Sequence, residues 1–408
     1  MKNWRNVKLG NHTSLISSGS TPRGGQSVYL ESGPVMLIRS QNVRMNQLDL
    51  SDVAFISDEI DAEMQRSVVA EKDVLLNITG ASIGRVATFD VPHARANVNQ
   101  HVCIIRPNAG ELDSRYLTYY LSSSRVQHDI NNKHQHGGTR QALTFQQIAE
   151  FDIPLPYAND PERSLREQKR IAAILDKADA IRRKRRETLD LSKHLTESTF
   201  AYLFGDTWSN DRDWPLGTLE DLCDKIVDCP HSTPVYATSS TGYLCIRSSD
   251  IQDGKIDLAS TREVSNEVYE ERIMRHEPQP GEVVFTREGG RLGNAAQIPP
   301  HLSACLGQRM MLFNAKPKKS TNEFIWALLN SPGMQRQICY LTAGAAAPRI
   351  NIADIRLFKS IVPPFDLQLA FTQSVAKVRD HEALARESSL ESDRLFGSLV
   401  RRAFRGEL

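Results

Sequence analysis

Apolar positions along the chain follow two rhythms, and the sequence runs through both of them twice. Short runs rich in β-branched residues, Val35–Ile38, Val74–Ile78 and Val102–Ile105, alternate with polar, Gly-rich turns and predict strands. Ser114 to Ile130 places Tyr116, Leu117, Tyr120, Leu121, Val126 and Ile130 at helical spacing, and Thr321 to Ile338 does the same. Phe151–Pro156 and its counterpart Lys359–Pro364 close these mixed stretches, and their prolines are expected to end strand pairing. The rhythm then turns purely helical. Ser164-Leu165-Arg166-Glu167, just after Pro161, reads as a capping box that opens a helix with no Gly or Pro before Gly205. Ile171, Ile174, Ala178 and Ile181 fall at 3-4-3 spacing, and the seam resumes at Leu191, Leu195 and Tyr202. About 39 residues rising 1.5 Å each predict a rod of roughly 58 Å. Gln368 to Phe404 forms a second long helix.

The two passes are copies of one plan. Arg39-Ser40 returns as Arg247-Ser248 at an offset of 208, Gly84 as Gly293 at 209, and Gln100 as Gln308 at 208. In the helices the offset is 200, where Ile171 meets Phe371, Leu195 meets Leu395 and Phe204 meets Phe404. A period of this size is far too long for a solenoid repeat of 20 to 50 residues and fits a domain plus its connector. The expected architecture is α+β. It has a mixed domain over 1–157, a long helix over 158–206, a second mixed domain over 207–364 and a closing helix over 365–408. Neither helix is apolar enough to stand alone, so the two are expected to pack on each other as an antiparallel coiled coil.

Composition adds limits. The 408 residues are 40% hydrophobic and 24% charged, as in an ordinary globular protein, with a net charge of +1. No run of about 18 apolar residues is present, and the N-terminus lacks a signal-like segment. Six scattered cysteines without a C-x-x-C suggest reduced thiols in a cytoplasmic protein. Charge is uneven. Arg163 to Glu187 holds ten basic and four acidic residues, whereas Met45 to Gln65 holds acidic residues and no Lys or Arg.

Enzymatic signatures fail one by one. Val362-Pro363-Pro364-Phe365 resembles an amino-methyltransferase motif, but Val362 cannot accept a hydrogen bond from a target amine. Asp152 with Glu167-Gln168-Lys169 matches a nuclease pattern only loosely. No phosphate loop, S-adenosylmethionine loop or G-x-S-x-G elbow is found, and His134-x-His136 lacks further ligands. What remains are polar, small-residue loops that suit DNA, whose backbone can approach phosphates and whose Arg, Gln and Asn can read base edges. The candidates are Ser20, Thr21, Arg23, Ser82, Arg85, Gln100, His101, Thr139 and Arg140 in the first copy, and Arg287, Arg291, Gln308, Arg309 and Arg349 in the second. Residues shared between the copies, such as Arg39 and Arg247, belong to the framework or to common backbone contacts. Those that differ, such as His101 against Arg309, are candidates for discrimination.

The run Glu167-Gln168-Lys169-Arg170-Ile171-Ala172-Ala173-Ile174-Leu175-Asp176-Lys177-Ala178-Asp179 is telling. So are the Gly80–Arg85 turn, Asn99-Gln100 and the duplicated domain–helix order. Together they make the chain resemble the specificity subunit of type I restriction–modification systems over its whole length. In the second helix only the Gln of Glu167-Gln168-Lys169-Arg170 survives, as Gln368. The resemblance implies two target-recognition domains reading the halves of a bipartite, asymmetric site in double-stranded DNA, with helices that set the spacer. It implies no catalytic centre and no cofactor on this chain. Two modification subunits would supply adenine-N6 methylation, and restriction subunits cleavage, using S-adenosylmethionine, ATP and Mg. A coiled-coil scaffold that never touches DNA, or a self-sufficient DNA methyltransferase or nuclease, are the alternative readings.

Overall fold

The computed structural model describes residues 4–134, 142–343 and 348–408. The chain forms two compact units, residues 1–186 with 387–408, and residues 187–386. In the first unit the fully buried run Val74–Asn77 lies inside an antiparallel sheet ordered Thr13–Ser18, Val102–Pro107, Val74–Asn77, Val86–Thr88. A second sheet orders Ala54–Ile56, Val35–Ile38, Ala96–Val98 and Val68–Val69, with its middle pair parallel. The second unit repeats both. Its strands Cys223–Asp228, Met310–Ala315, Val283–Thr286 and Ala295–Gln297 take the first order, and Leu244–Ile246 pairs in parallel with Ala304–Leu306.

Several expectations change. The helix expected over Ser114–Ile130 is two, Ser114–Leu121 and Ser124–His134, and its counterpart is Asn322–Asn330 and Pro332–Leu341. In the second unit the break is built by Ser331, whose hydroxyl caps the Met334 N–H, and by Pro332 at the first helical position. The prolines of the closing strand do not end pairing in the first unit. Asp152–Pro156 pairs with Trp4–Lys8, with Pro154 opposite Asn6 and Pro156 opposite Trp4. A two-stranded ribbon has a free edge, where a missing N–H costs nothing.

The central helix runs Pro161–Phe204, one turn earlier than Ser164 predicts. Asp160 is its cap, taking the Arg163 N–H at 3.0 Å, and Pro161 occupies the first turn. Ser164 is therefore internal, and Glu167 holds Arg170 by two 2.8 Å bonds. The seam also shifts. Ile171, Leu175 and Asp179 are buried, whereas Ile181, Leu191, Leu195 and Tyr202 are more than half exposed, as is Leu395.

Each unit is completed by segments of both long helices. In the first, residues 161–186 lie against the end of the C-terminal helix Phe365–Ala403. Arg182 stacks over Phe396 at 4.2 Å, Arg185 reaches Ser388 and Ser392, and Arg186 holds Asp393 at 2.8 Å, an antiparallel run. Much of the basic stretch is thus engaged internally. Phe404 packs edge-on against Tyr116 at 5.2 Å. In the second unit Phe204 makes the matching contact with Phe324 at 4.9 Å.

The surviving glutamine has a structural reason. Gln168 is fully buried, accepts from the Asp113 N–H at 2.9 Å and donates to the Glu111 carbonyl at 3.0 Å. Asp113 caps helix Ser114–Leu121, so Gln168 fixes that helix start to the long helix. Gln368 does the same work, donating to the Lys319 and Pro363 carbonyls at 3.2 and 2.9 Å and accepting from Ser320 at 3.0 Å. Gln168→Ala is expected to cost about 1–3 kcal/mol, since it strands a buried N–H and a carbonyl. Urea unfolding would measure this, and a midpoint equal to wild type would refute the staple.

Candidate nucleic-acid interface

Within each unit several of the described candidate residues meet at a rim formed by the loops leaving the first sheet. Its backbone is the same in each. Ile78 N–H donates to His101 O at 3.0 Å and Arg287 N–H to Arg309 O at 3.0 Å. Gly84 N–H donates to Asn77 O and Gly293 N–H to Thr286 O, both at 2.9 Å. Gly84 and Gly293 have φ of 82° and 91°, so only glycine closes this turn without strain. Gln127 clamps the turn from behind through Gly84 O at 2.8 Å, and Gln335 through Gly293 O at 2.9 Å. Thr79 bridges Ala142, and Glu288 bridges Arg349.

In the first unit the side chains form a hydrogen-bonded chain. Thr21 Oγ1 donates to Gln100 Oε1 at 2.6 Å, and Gln100 Nε2 lies 3.0 Å from His101 Nε2. His101 Nδ1 lies 2.5 Å from Thr79 Oγ1. If the amide donates, His101 must accept at Nε2 and carry its proton on Nδ1 toward Thr79. Beside this chain opens a cavity of about 320 Å³, bordered by Thr21, Tyr29, Arg39, Gln41, Gln100 and His101. Ser20 and Arg23 are exposed, with no side-chain partner among the described residues. Ser82 accepts from Asn77 Nδ2 at 3.1 Å, and Arg85 is half-buried at the end of the turn. Thr139 and Arg140 lie outside the described residues.

In the second unit the rim is charged. Arg287 takes the place of buried Ile78 and turns inward, with Nε 3.5 Å from Asp228 Oδ1 and a terminal nitrogen 3.3 Å from His231 Nδ1. His231 also meets Asp228 at 3.0 Å. Gln308 Nε2 donates to the His231 carbonyl, so the shared glutamine ties down the same loop in both units. Arg309 pairs with Glu288 at 3.4 Å. Arg291 donates to Ile251 O at 2.8 Å, and Arg349 is exposed.

The shared arginines are framework. Arg39 donates to the Asp52 carbonyl at 2.7 Å and lies 5.7 Å from the Tyr29 ring. Arg247 grips Asp250 at 2.6 and 3.0 Å and lies 5.8 Å from Tyr236. The hydrogen-bonded Asp250 raises the Arg247 pKa further above its ordinary value. Sequence reasoning missed Asp228 and His231, and it read Thr79 and Glu288 only as members of their loops, without pairing them. Comparing the residues beside Gly80 with those beside Gly289 would have exposed the Thr79–Glu288 mismatch.

Residues 1–191 match the family described as the type I restriction modification DNA specificity domain. The chain is thus similar to type I restriction specificity subunits. It is 22% identical to the type I restriction enzyme EcoKI specificity subunit of Escherichia coli K12, over 99% of this chain and 89% of that protein. The EcoBI specificity subunit of Escherichia coli is 27% identical over 42% of this chain and 35% of its own. The fold is shared with the crystal structure of a type I restriction–modification S subunit from M. genitalium. That likeness has a TM-score of 0.60 and 13% identity, and covers 99% of this chain and 96% of that one. Beyond residue 191 the second unit repeats the rim of the first. Among the described residues no helix is long and apolar enough to cross a membrane.

Proposed function

We propose that this specificity protein gives a type I restriction–modification enzyme its DNA address, each unit reading one half of a bipartite, asymmetric site. One observation carries the reading: a single backbone platform is built twice and faced with different side chains. A shared platform meets the regular DNA backbone in the same way, and unlike rims ask for unlike bases. The chain is the non-catalytic subunit, its long helices setting the spacer and docking two modification subunits. Those partners would supply adenine-N6 methylation with S-adenosylmethionine, and restriction subunits ATP- and Mg-dependent cleavage, in the cytoplasm.

The test is an exchange of residues 1–155 with those of a relative, in the complex with its modification subunits, followed by mapping of methylated adenines. One half-site should change and the other stay. Two altered halves would argue against separate readers, and an unchanged site against DNA reading by this unit.

A further inference from the structure

The rim narrows the discriminating groups to one pair per unit. The glutamines at 100 and 308 are engaged with their own loops in both copies, so they hold the rim and do not distinguish the halves. Arg287 is turned toward Asp228 and is only 11% exposed. Among the described residues, one place where equivalent positions of the rims differ and still reach solvent is Thr79 with His101 in the first unit and Glu288 with Arg309 in the second. The equivalence is structural, because the bonds 78-to-101 and 287-to-309 coincide.

We propose that this pair of positions is the discriminator of each half-site, and that in the second unit Arg309 takes a guanine. The proposal rests on the DNA-reading function above. Three features of Arg309 support it. Its side chain is half exposed, and its Nε faces Glu288, leaving the two terminal nitrogens without another partner among the described residues. A guanidinium held at Nε presents that remaining edge as a fork, which matches the O6 and N7 acceptors of guanine in the major groove. The backbone at Arg309 has φ 69°, a left-handed conformation that L side chains rarely adopt, held by the bond from Arg287 N–H. Strain kept at a non-glycine residue marks a place where side-chain direction matters.

The partner carboxylate decides between base and phosphate. An arginine 3.4 Å from a glutamate is nearly neutral as a pair, and Glu288 would repel a phosphate. Beside a G·C pair neither group is wasted, since guanine accepts from Arg309 and the cytosine amino group can donate to Glu288. The first unit offers no arginine here, because His101 stands in its place with its ring nitrogens against Thr79 and Gln100.

The test uses the full chain with its modification subunits and maps methylated adenines for wild type, Arg309→Ala, Arg309→Lys and an exchange of residues 207–364 with a relative's. Both point variants should relax one G·C position in one half-site, with discrimination there falling about 10- to 100-fold, and leave the other half intact. Lysine keeps the charge and loses the fork, so it reads the proposal even if the alanine variant fails to fold. A phosphate role would instead weaken all sequences alike and lower the salt slope by about one for Arg309→Ala, with lysine restoring it, and this would overturn the assignment. If the exchange moves a half-site while both Arg309 variants keep the wild-type site, the discriminator is elsewhere and DNA reading stands. If the exchange changes nothing either, the reading itself fails.

Discussion

Replacing Phe204 by alanine is expected to destabilise the second unit by about 3–5 kcal/mol, although Phe204 closes the helix that follows the first mixed domain. Its ring is 1% exposed and sits among three others, with centroids at 4.9 Å from Phe200, 4.9 Å from Phe324 and 5.5 Å from Phe371. Most of these contacts are edge-on, the arrangement in which ring edge meets ring face favourably. The backbone at this position is fixed, because Gly205 follows in a left-handed conformation and Trp214 Nε1 is bonded to the Phe204 carbonyl at 3.0 Å. A loss of this size is a large part of the ~5–15 kcal/mol that holds a domain together. Leu191→Ala and Leu195→Ala on the same helix are the controls. Their side chains are 68% and 51% exposed, so each change should stay within about 0.5 kcal/mol. Chemical unfolding followed by the tryptophans of the second unit would measure all three. Equal midpoints for Phe204→Ala and Leu195→Ala would overturn the packing account.

That contrast also marks how far the sequence could be read. Strands such as Val35–Ile38 were legible because a buried strand is a continuous apolar run, and the repeat was legible because 208 separates so many pairs. The seam was not. Apolar spacing favours Ile174, Ala178 and Ile181, but the helix faces more than another helix. Asp176 accepts from Arg115 at 2.7 Å and Tyr119 at 2.6 Å, and Arg185 and Arg186 reach the C-terminal helix. Polar groups therefore occupy the contact line, and a hydrophobic period cannot see them. Gln168 and Gln368 illustrate the same limit. Their recurrence was visible, while their role depends on carbonyls in distant segments, Glu111 57 residues from Gln168 and Lys319 49 from Gln368. At the rim, Gln100 with Gln308 and His101 with Arg309 were found by comparing the copies. Whether Arg287 faced DNA or Asp228 was invisible, because a charge reads the same in a string whether it meets solvent or a carboxylate.

Gly19→Ala should remove half-site reading by the first unit while leaving the second half-site intact. A methyl group at position 19 would fall within the envelope of the Val98 carbonyl oxygen and 3.2 Å from the Asn99 carbonyl carbon. Both atoms are backbone, so neither can swing aside. Val98 ends a central strand, paired in parallel with Val35–Ile38, and the Asn99 N–H is bonded to Ile38 O at 3.1 Å. The yielding part must be the loop from Gly19 onward. Thr21 then leaves Gln100, and with it goes the bond that orders Gln100 and His101. Overpacking of this kind costs about 1–3 kcal/mol, so the unit should still fold while its rim is misplaced. In the second unit a different glycine is crowded, since a methyl added at Gly307 would lie 2.9 Å from the Ile246 carbonyl oxygen. Gly290→Ala is the control, since nothing lies within 4 Å of an added methyl and its φ is not positive. Mapping methylated adenines alongside urea unfolding separates the effects. Gly19→Ala should lose its half-site with most of its stability kept, and a variant that reads DNA as Gly290→Ala does would refute the close-approach argument.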